Sequence, residues 1–206
     1  MSFAIGIPTL NRYDLLKPSL AMYKVDFPNI DIHIVNNGIQ NVTEEEKIKV
    51  YNFDRNIGVA ASWNYLCKKI FSQGNENALI LNDDIYLGKK ESEIIELCST
   101  YKNSFIRATP DFCAFIISKH VWDEVGEFDE CFFPAYYEDK SYDYRMKLKR
   151  IMRIKTPKLN PHIYNSSKTL EKYPELMELI RQNRNQYVKM WGGEPERETF
   201  KKPYNK

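Results

Sequence analysis

Residues 78–85 read Ala-Leu-Ile-Leu-Asn-Asp-Asp-Ile, an apolar run that ends abruptly in an amide and two carboxylates, Asn82, Asp83 and Asp84. Apolar residues bounded in this way have the pattern of a buried strand. In open α/β sheets, ligands sit outside the carboxyl ends of the strands. Two adjacent acids at such a tip repel each other unless positive charge lies between them. Hard oxygen donors suit Mg2+ or Mn2+, held jointly by carboxylates and substrate phosphates. The chemistry expected here is therefore a metal–diphosphate site. A second acidic pair, Glu138-Asp139, follows an aromatic stretch from Phe128 to Tyr137 and opens a helical pattern through Tyr142, Met146 and Leu148. Acids in a first helical turn are favoured by the helix dipole, so a cap and a positioned general base are both open readings of this pair.

The ends of the other expected strands carry small polar groups: Pro8-Thr9-Leu10-Asn11-Arg12, Asn36-Asn37-Gly38 and Asp54-Arg55-Asn56-Ile57-Gly58. Side-chain amides both donate and accept, which suits the edge of a uracil or thymine ring and ribose hydroxyls. Gly58 permits close backbone approach at the start of a helix whose N–H groups would face a ligand. Each segment alone has ordinary turn composition. Their joint placement at strand ends points to a nucleotide.

These groups need a scaffold, and the periodicity supplies one. Strands are expected at 3–8, 30–35, 50–53, 78–81 and 112–117, the last central in the sheet, with an added strand at 151–154. Helices are expected at 15–24, 59–71, 92–101, shortly after Ser118, from Glu138, and at 174–191. In the last of these, Leu176, Ile180, Tyr187 and Trp191 form one stripe, and Gly192-Gly193 supplies a C-cap. Alternating strands and helices predict an α/β fold: one domain with a doubly wound, mostly parallel, Rossmann-like sheet and helices on both faces. His33 alternates with isoleucines and is expected on the outer face of its strand. His120 has no evident role.

The 206 residues carry a net charge of +2, too balanced to indicate a nucleic-acid partner. No stretch approaches the roughly 18 apolar residues of a membrane span. The first residues show no signal-peptide pattern, and Cys67, Cys98, Cys113 and Cys131 are too widely spaced for a zinc or redox motif, so reduced core thiols in a cytoplasmic protein are expected. A P-loop is excluded by the absence of its glycine-lysine signature. A nucleotidyl transferase would carry a glycine-rich loop after the first strand, and residues 10–17 contain no glycine. A non-catalytic carbohydrate- or nucleotide-binding module would not need a base.

In their order along the chain, Ile7-Pro8-Thr9-Leu10-Asn11-Arg12, Asn56-Ile57-Gly58-Val59-Ala60-Ala61-Ser62-Trp63-Asn64, Asn82-Asp83-Asp84 and Phe128-Asp129-Glu130 with Glu138-Asp139 closely resemble family 2-type glycosyltransferases of the GT-A fold. The tail, with Trp191-Gly192-Gly193 and Pro203-Tyr204-Asn205, is similar to small members from phages, large DNA viruses and bacterial polysaccharide loci. The resemblance implies a metal-dependent transfer of sugar from a nucleotide-diphosphate sugar, UDP-linked by preference, to a glycan or other hydroxyl acceptor. Residues 1–88 or so would bind the donor, and about 89–206 would hold the acceptor and the catalytic groups. It places Pro8, Thr9, Asn11, Arg12, Asn36, Asn37, Asn56, Gly58, Trp63, Asn64, Asn82 and Asp83 around the nucleotide sugar. Asp84 and His162 would hold Mn2+ or Mg2+, and Asp139, assisted by Glu138, would be the base of an inverting reaction. Trp122, Phe133, Tyr136 and Tyr137 would be available as acceptor platforms, with a core or lid place the alternative for most of them and the first reading for Phe133. Two positions depart from the family pattern. Asn36-Asn37 stands where relatives carry an Asp, and Lys140-Ser141 follows the Glu-Asp pair where a second Asp is usual, with Asp143 one turn further on. A homo-oligomer is left open.

Overall fold

The computed structural model describes residues 1–109, 111–163, 174 and 176–206. Strands β1 (Phe3–Thr9), β2 (Ile32–Asn36), β3 (Ile48–Asn52) and β4 (Asn77–Leu81) alternate with helices α1 (Tyr13–Asp26) and α2 (Val59–Ser72). A two-residue strand β5 (Ile85–Tyr86) precedes α3 (Glu91–Thr100), β6 (Ser104–Arg107), β7 (Ala114–Ser118) and α4 (Lys119–Val125). Then come α5 (Glu138–Leu148), β8 (Met152–Lys155), β9 (His162–Ile163) and α6 (Leu176–Trp191).

The main sheet has seven strands in the order β3-β2-β1-β4-β7-β6-β8, and β5 pairs with β9 in a separate ribbon. Within the main sheet, pairings are parallel except at β7, which runs antiparallel to both β4 and β6, and the β5–β9 ribbon is antiparallel. The expected α/β sheet is present, and the strand expected at 112–117 is central but reversed in direction.

Side-chain alternation along β1 divides the core. Phe3, Ile5 and Ile7 join Leu16, Leu20 and Tyr23 of α1 and Ile94 and Leu97 of α3 on one face. Ala4 joins Leu66 and Ile70 of α2 with Val121 of α4 and Met146 of α5 on the other. Gly6 lets α2 approach: a Cβ there would lie 2.8 Å from Ile80 Cδ1 and 3.2 Å from Leu66 Cβ.

Four expectations need correction. His33 is fully buried rather than on an outer face, because a parallel sheet is covered on both sides. It stacks on Tyr51, its Nδ1 lies 3.0 Å from the Tyr51 hydroxyl, and burial lowers its pKa. Trp122 packs on Phe71 at the C-terminal end of α2. Its helix follows Ser118, whose register partner is Asn77 at the start of β4, so Trp122 lies at the sheet edge opposite the acidic tip. Among the cysteines only Cys67 and Cys98 are core thiols, for Cys113 is half-buried and Cys131 exposed. The short strands β5, β6 and β9 were not expected at all.

α6 forms a third small core with Phe132 and Tyr144 through Tyr187, Met190 and Trp191. Gly192, at φ 74°, ends it in the left-handed region, as expected for a C-cap.

Candidate active site

Parallel register brings the polar strand ends into one row. Thr9 is opposite Asn36 and Asn36 opposite Asn52, while Gly6 of β1 is opposite Ile80 of β4, which carries Asp83 to the level of Thr9. The buried Thr9 hydroxyl donates to Asp83 Oδ2 at 2.8 Å and accepts from Gln40 Nε2 at 3.0 Å. Thr9 thus ties the acidic tip to the loop after β2. Burial pushes the Asp83 carboxyl up to about 7, with Asp84 adding to the rise and Thr9 and Arg12 opposing it. Burial also raises Asp84, against the pull of Arg12. The Arg12 guanidinium sits on Asp14 at 3.0 Å and feels both tip acids, which helps to raise its own pKa.

Several expected donor-pocket residues are committed to the protein itself. The Asn36 amide donates to Gln40 O and Asn52 Oδ1, both at 2.8 Å, and its oxygen accepts from the Gly38 N–H at 3.2 Å. Asn37 donates to Ser62 Oγ at 2.8 Å and accepts from the Ile57 N–H at 3.3 Å. Asn11, at φ 52°, accepts from the Ile39 N–H at 2.9 Å. A side chain at Gly38 would collide with Asn11. Asn56 Oδ1 accepts from the Gly58 N–H at 2.9 Å. Pro8, half-buried at its place in β1, is opposite Val35.

Trp63 does not reach the cleft, whereas Asn64 lines a cavity of ≈ 550 Å³ with Asn56 and Phe133. Trp63 is buried among Phe115 and Phe128, with ring centroids 5.2 and 5.0 Å away. Asn64 exchanges hydrogen bonds with the Phe128 backbone at 2.7 and 3.0 Å and donates to Glu130. Their place on α2 turns them toward the 128–130 segment, which they fasten. The N-terminus of α2 is likewise closed by the chain: the Val59 N–H donates to the Pro134 carbonyl at 2.8 Å. Close approach at Gly58 serves Phe133 and Pro134, each 3.0 Å from a notional Cβ.

The second acidic pair enters from across the sheet. The Asn82 N–H donates to the Cys113 carbonyl at 2.9 Å, joining the acidic tip to the segment that leads into β7. The Cys113 thiol is pushed up to about 12, first by burial and then by the charges of Asp84, Asp111 and Asp139. The charges of the tip acid Asp84 and the helix acid Asp139 are thus both felt by one thiol. Tyr136 and Tyr137, both at positive φ, lead into α5. Glu138 is 5% exposed and its Oε2 lacks a hydrogen-bond partner among the described residues. Burial, reinforced by Asp139, pushes its carboxyl up to about 8. The Asp139 side chain is accessible, 3.3 Å from Lys140 Nζ.

Sequence reasoning missed what holds this loop. Asn183 of α6 is buried and donates to the carbonyls of Phe133, Ala135 and Tyr136 at 3.3, 2.8 and 3.3 Å. The Trp191 indole donates to Ser141 Oγ at 2.9 Å, and that hydroxyl donates to Asp129 at 2.6 Å. An amide on the apolar side of an amphipathic helix was the available signal. Phe133 and Tyr136 remain exposed and Tyr137 half-buried.

Among the described residues no three His, Cys, Asp or Glu side chains form a ready metal centre. His162 is exposed on β9 opposite Tyr86, and it is not gathered with Asp83 and Asp84 as expected. The same residues contain no helix long and apolar enough to cross a membrane.

No protein-family model matches the chain, and no curated protein matches it in sequence. Solved structures do. TarS 1-349 of S. aureus matches with a TM-score of 0.57 and 16% identity, over 89% of this chain and 65% of that one. GalNAc-T7, crystallised with UDP, GalNAc and Mn2+, matches with a TM-score of 0.63 and 11% identity, over 92% of this chain and 50% of that one. The catalytic domain of Drosophila beta1,4-galactosyltransferase 7, in complex with xylobiose, gives 0.52 and 13%, over 75% and 64%. The chain thus spans between half and just under two thirds of each of these neighbours. At such identities the likeness is one of fold, and the fold is GT-A.

Proposed function

We propose that the chain is a nucleotide-sugar-dependent glycosyltransferase that moves a hexosyl group, UDP-linked by preference, onto an acceptor hydroxyl in glycan or polysaccharide synthesis, with inversion. The observation that carries this reading is the acidic tip at one sheet edge of a GT-A fold, with Asp83 held by Thr9 and Asn82 joined to Cys113, a thiol that feels the charges of both Asp84 and Asp139. Residues 1–88 or so form the donor half in this proposal, and about 89–206 the acceptor half.

The donor set fits a divalent cation. Asp83 and Asp84 supply hard oxygens whose pKa values burial raises, a condition that a bound cation relieves. Mn2+ or Mg2+ would be held by Asp84, with Asp83 fixed by Thr9, and when bound would neutralise charge on the leaving diphosphate. That GalNAc-T7 was crystallised with UDP and Mn2+ supports this choice. Arg12, beside both acids, adds positive charge on the donor side. Asn82, tied to Cys113 through its backbone, leaves its side-chain amide for the ribose.

Asp139 is the base. It is accessible and takes the acceptor proton as the hydroxyl oxygen attacks the anomeric carbon. The buried Glu138, 5% exposed and with its carboxyl pushed up by burial, is less open to an incoming hydroxyl than Asp139. Its part is to fix the first turn of α5.

A panel of nucleotide sugars tests this, read as thermal stabilisation and donor hydrolysis with and without Mn2+. Metal-dependent stabilisation by one class of donor is expected. Asp139→Asn should keep that stabilisation and lose transfer by roughly 10²-fold or more. No response across the panel would reject the activity, and full transfer by the variant would reject the base.

A further inference from the structure

Beside Asp139 lies a second cavity of ≈ 520 Å³. Arg107, Lys147, Arg153 and Lys155 contribute to its walls, with Phe112 and Tyr144 between them. These cations come from separate elements. Arg107 ends β6 and Lys155 ends β8, and the two are register partners on adjacent parallel strands at the same sheet edge as the acidic tip. Lys147 comes from α5, the helix that Asp139 opens.

Of the four acids among the described residues that line the cavity, Asp139, Asp143 and Glu198 are engaged and Glu196 is exposed. Asp143 pairs with Arg153 at 3.0 Å, and Asp139 with Lys140 at 3.3 Å. Glu198 accepts from the Tyr187 hydroxyl at 2.5 Å and the Glu196 N–H at 3.0 Å. Lys147 and Lys155 have no carboxylate within ion-pair distance among the described residues. Lys147 lies instead over the Tyr144 ring at 5.8 Å, and Arg107 over Phe112 at 5.5 Å. Residues 147–155, Lys-Leu-Lys-Arg-Ile-Met-Arg-Ile-Lys, contain no acid, and Met152 among them is exposed.

Lysines on an edge strand also protect a sheet from pairing with other chains, which accounts for cations on β8. It does not account for Lys147 of α5 and Arg107 of β6 turning into the same cavity. Convergence of three cations from three elements suits a group bearing more than one negative charge, and a phosphate monoester carries nearly two at neutral pH.

We infer that the acceptor is a phosphate-bearing saccharide, its phosphate held by Arg107, Lys147 and Lys155 and its hydroxyl presented to Asp139. The inference rests on the glycosyltransferase reading above and names the acceptor class for that site. The phosphate can belong to a free sugar phosphate or to a lipid headgroup, and the test separates the two.

Glucose 6-phosphate and glucose are titrated calorimetrically into the whole chain, and co-sedimentation is measured with phosphatidylcholine vesicles with and without phosphatidylinositol 4-phosphate, whose headgroup bears a phosphate monoester. A free-phosphate site binds glucose 6-phosphate and not glucose, with an affinity that falls as salt rises. A headgroup site sediments only with vesicles that contain phosphatidylinositol 4-phosphate. In either case Lys147→Glu/Lys155→Glu should weaken binding by about tenfold or more. Lys49→Glu/Lys102→Glu, which makes the same charge change on exposed residues elsewhere, should not. Circular dichroism confirms that both variants fold. Equal binding of charged and neutral probes, no binding of either phosphate probe, or equal loss in both double variants overturns the inference. UDP with Mn2+ is titrated in parallel. Failure there removes the glycosyltransferase reading, whereas nucleotide binding without phosphate discrimination removes only the acceptor class.

Discussion

Replacing Glu138 by Gln tests whether this buried acid is neutral in the folded protein. The side chain is 5% exposed, its Oε2 has no partner among the described residues, and Asp139 adjoins it. Its carboxyl rises from 4.5 to about 8, chiefly through burial. Unfolding returns it to the lower value, so between those values the folded state holds a proton that the unfolded state releases. Stability from this group is complete below pH 4.5 and is lost as pH rises toward 8. At about 1.4 kcal/mol per unit, the whole window is worth at most on the order of 5 kcal/mol. Gln has the shape of the neutral acid and cannot ionise. At the acid end the variant should therefore match the wild type within about 1 kcal/mol. Near pH 8 it should be the more stable of the two by a few kcal/mol. Urea denaturation of both proteins at stepped pH reads this difference directly. Other titrating groups, Asp83 included, cancel between the two curves. A difference that stays constant across the window would show that Glu138 is ionised in the folded state and that burial does not raise its pKa.

Three further substitutions probe the scaffold of the site. Thr9→Val removes the donor to Asp83 and the acceptor for Gln40. It should cost about 1–3 kcal/mol in urea denaturation, and an unchanged midpoint would mean that the strand-end brace is idle. Asn183→Ala strips the shared donor from the carbonyls of Phe133, Ala135 and Tyr136. Amide hydrogen exchange should accelerate in the loop before α5 while α2 stays protected, and uniform exchange in both would argue against a local staple. Gly6→Ala pushes a methyl group to within 2.8 Å of Ile80 Cδ1. A loss of about 1–3 kcal/mol is expected, and Gly6→Ala/Ile80→Val should recover part of it in thermal melts. Absence of that recovery would place the strain elsewhere.

Periodicity made the scaffold legible wherever burial and period coincide. The run Ala78-Leu79-Ile80-Leu81 is fully buried in β4, and the stretch expected at 59–71 is α2 to within one residue. Direction was not legible. The apolar residues of β7 would be buried equally in a parallel or an antiparallel strand, so hydropathy cannot tell the two apart. β6 escaped because Ser-Phe-Ile-Arg is short and holds only two apolar residues, too few to set a period even with Asn103 and Pro110-Asp111 flanking it as turn residues. At the site, chemical type was legible but partner was not. Asn36 and Asn37 belong to the strand-end row, as expected, yet their amides are spent on Asn52, Gln40, Ser62 and Ile57. Those partners are set by register between strands distant in sequence. Trp63 has a helical period compatible with either a pocket or the core, and the aromatic cluster of Phe115 and Phe128 decided for the core.

The two acidic pairs divide their labour by environment: Glu138 is buried beside a half-buried Asp139, and Asp83 and Asp84, both half-buried, differ in their partners. Each is a dipeptide, so neither pair can avoid mutual repulsion by distance, and the fold separates the members by environment instead. In Asp83-Asp84 the first acid is locked by Thr9 and pushed up to about 7, while the second faces Cys113 with a smaller perturbation. In Glu138-Asp139 the first is sealed without a partner and pushed up to about 8, while the second keeps an exposed edge beside Lys140. In both, the residue nearer the N-terminus is the one withdrawn. The cleft thereby avoids four carboxylates of equal charge at close quarters. In the proposed reaction, the acids left facing it are the two that need solvent-side access, Asp84 for a cation and Asp139 for a proton. A fold that needed acids only as helix caps or turn formers would have no reason to raise one acid of each pair so strongly. This asymmetry, more than the presence of four acids, is what makes catalysis a better account of the cleft than binding alone.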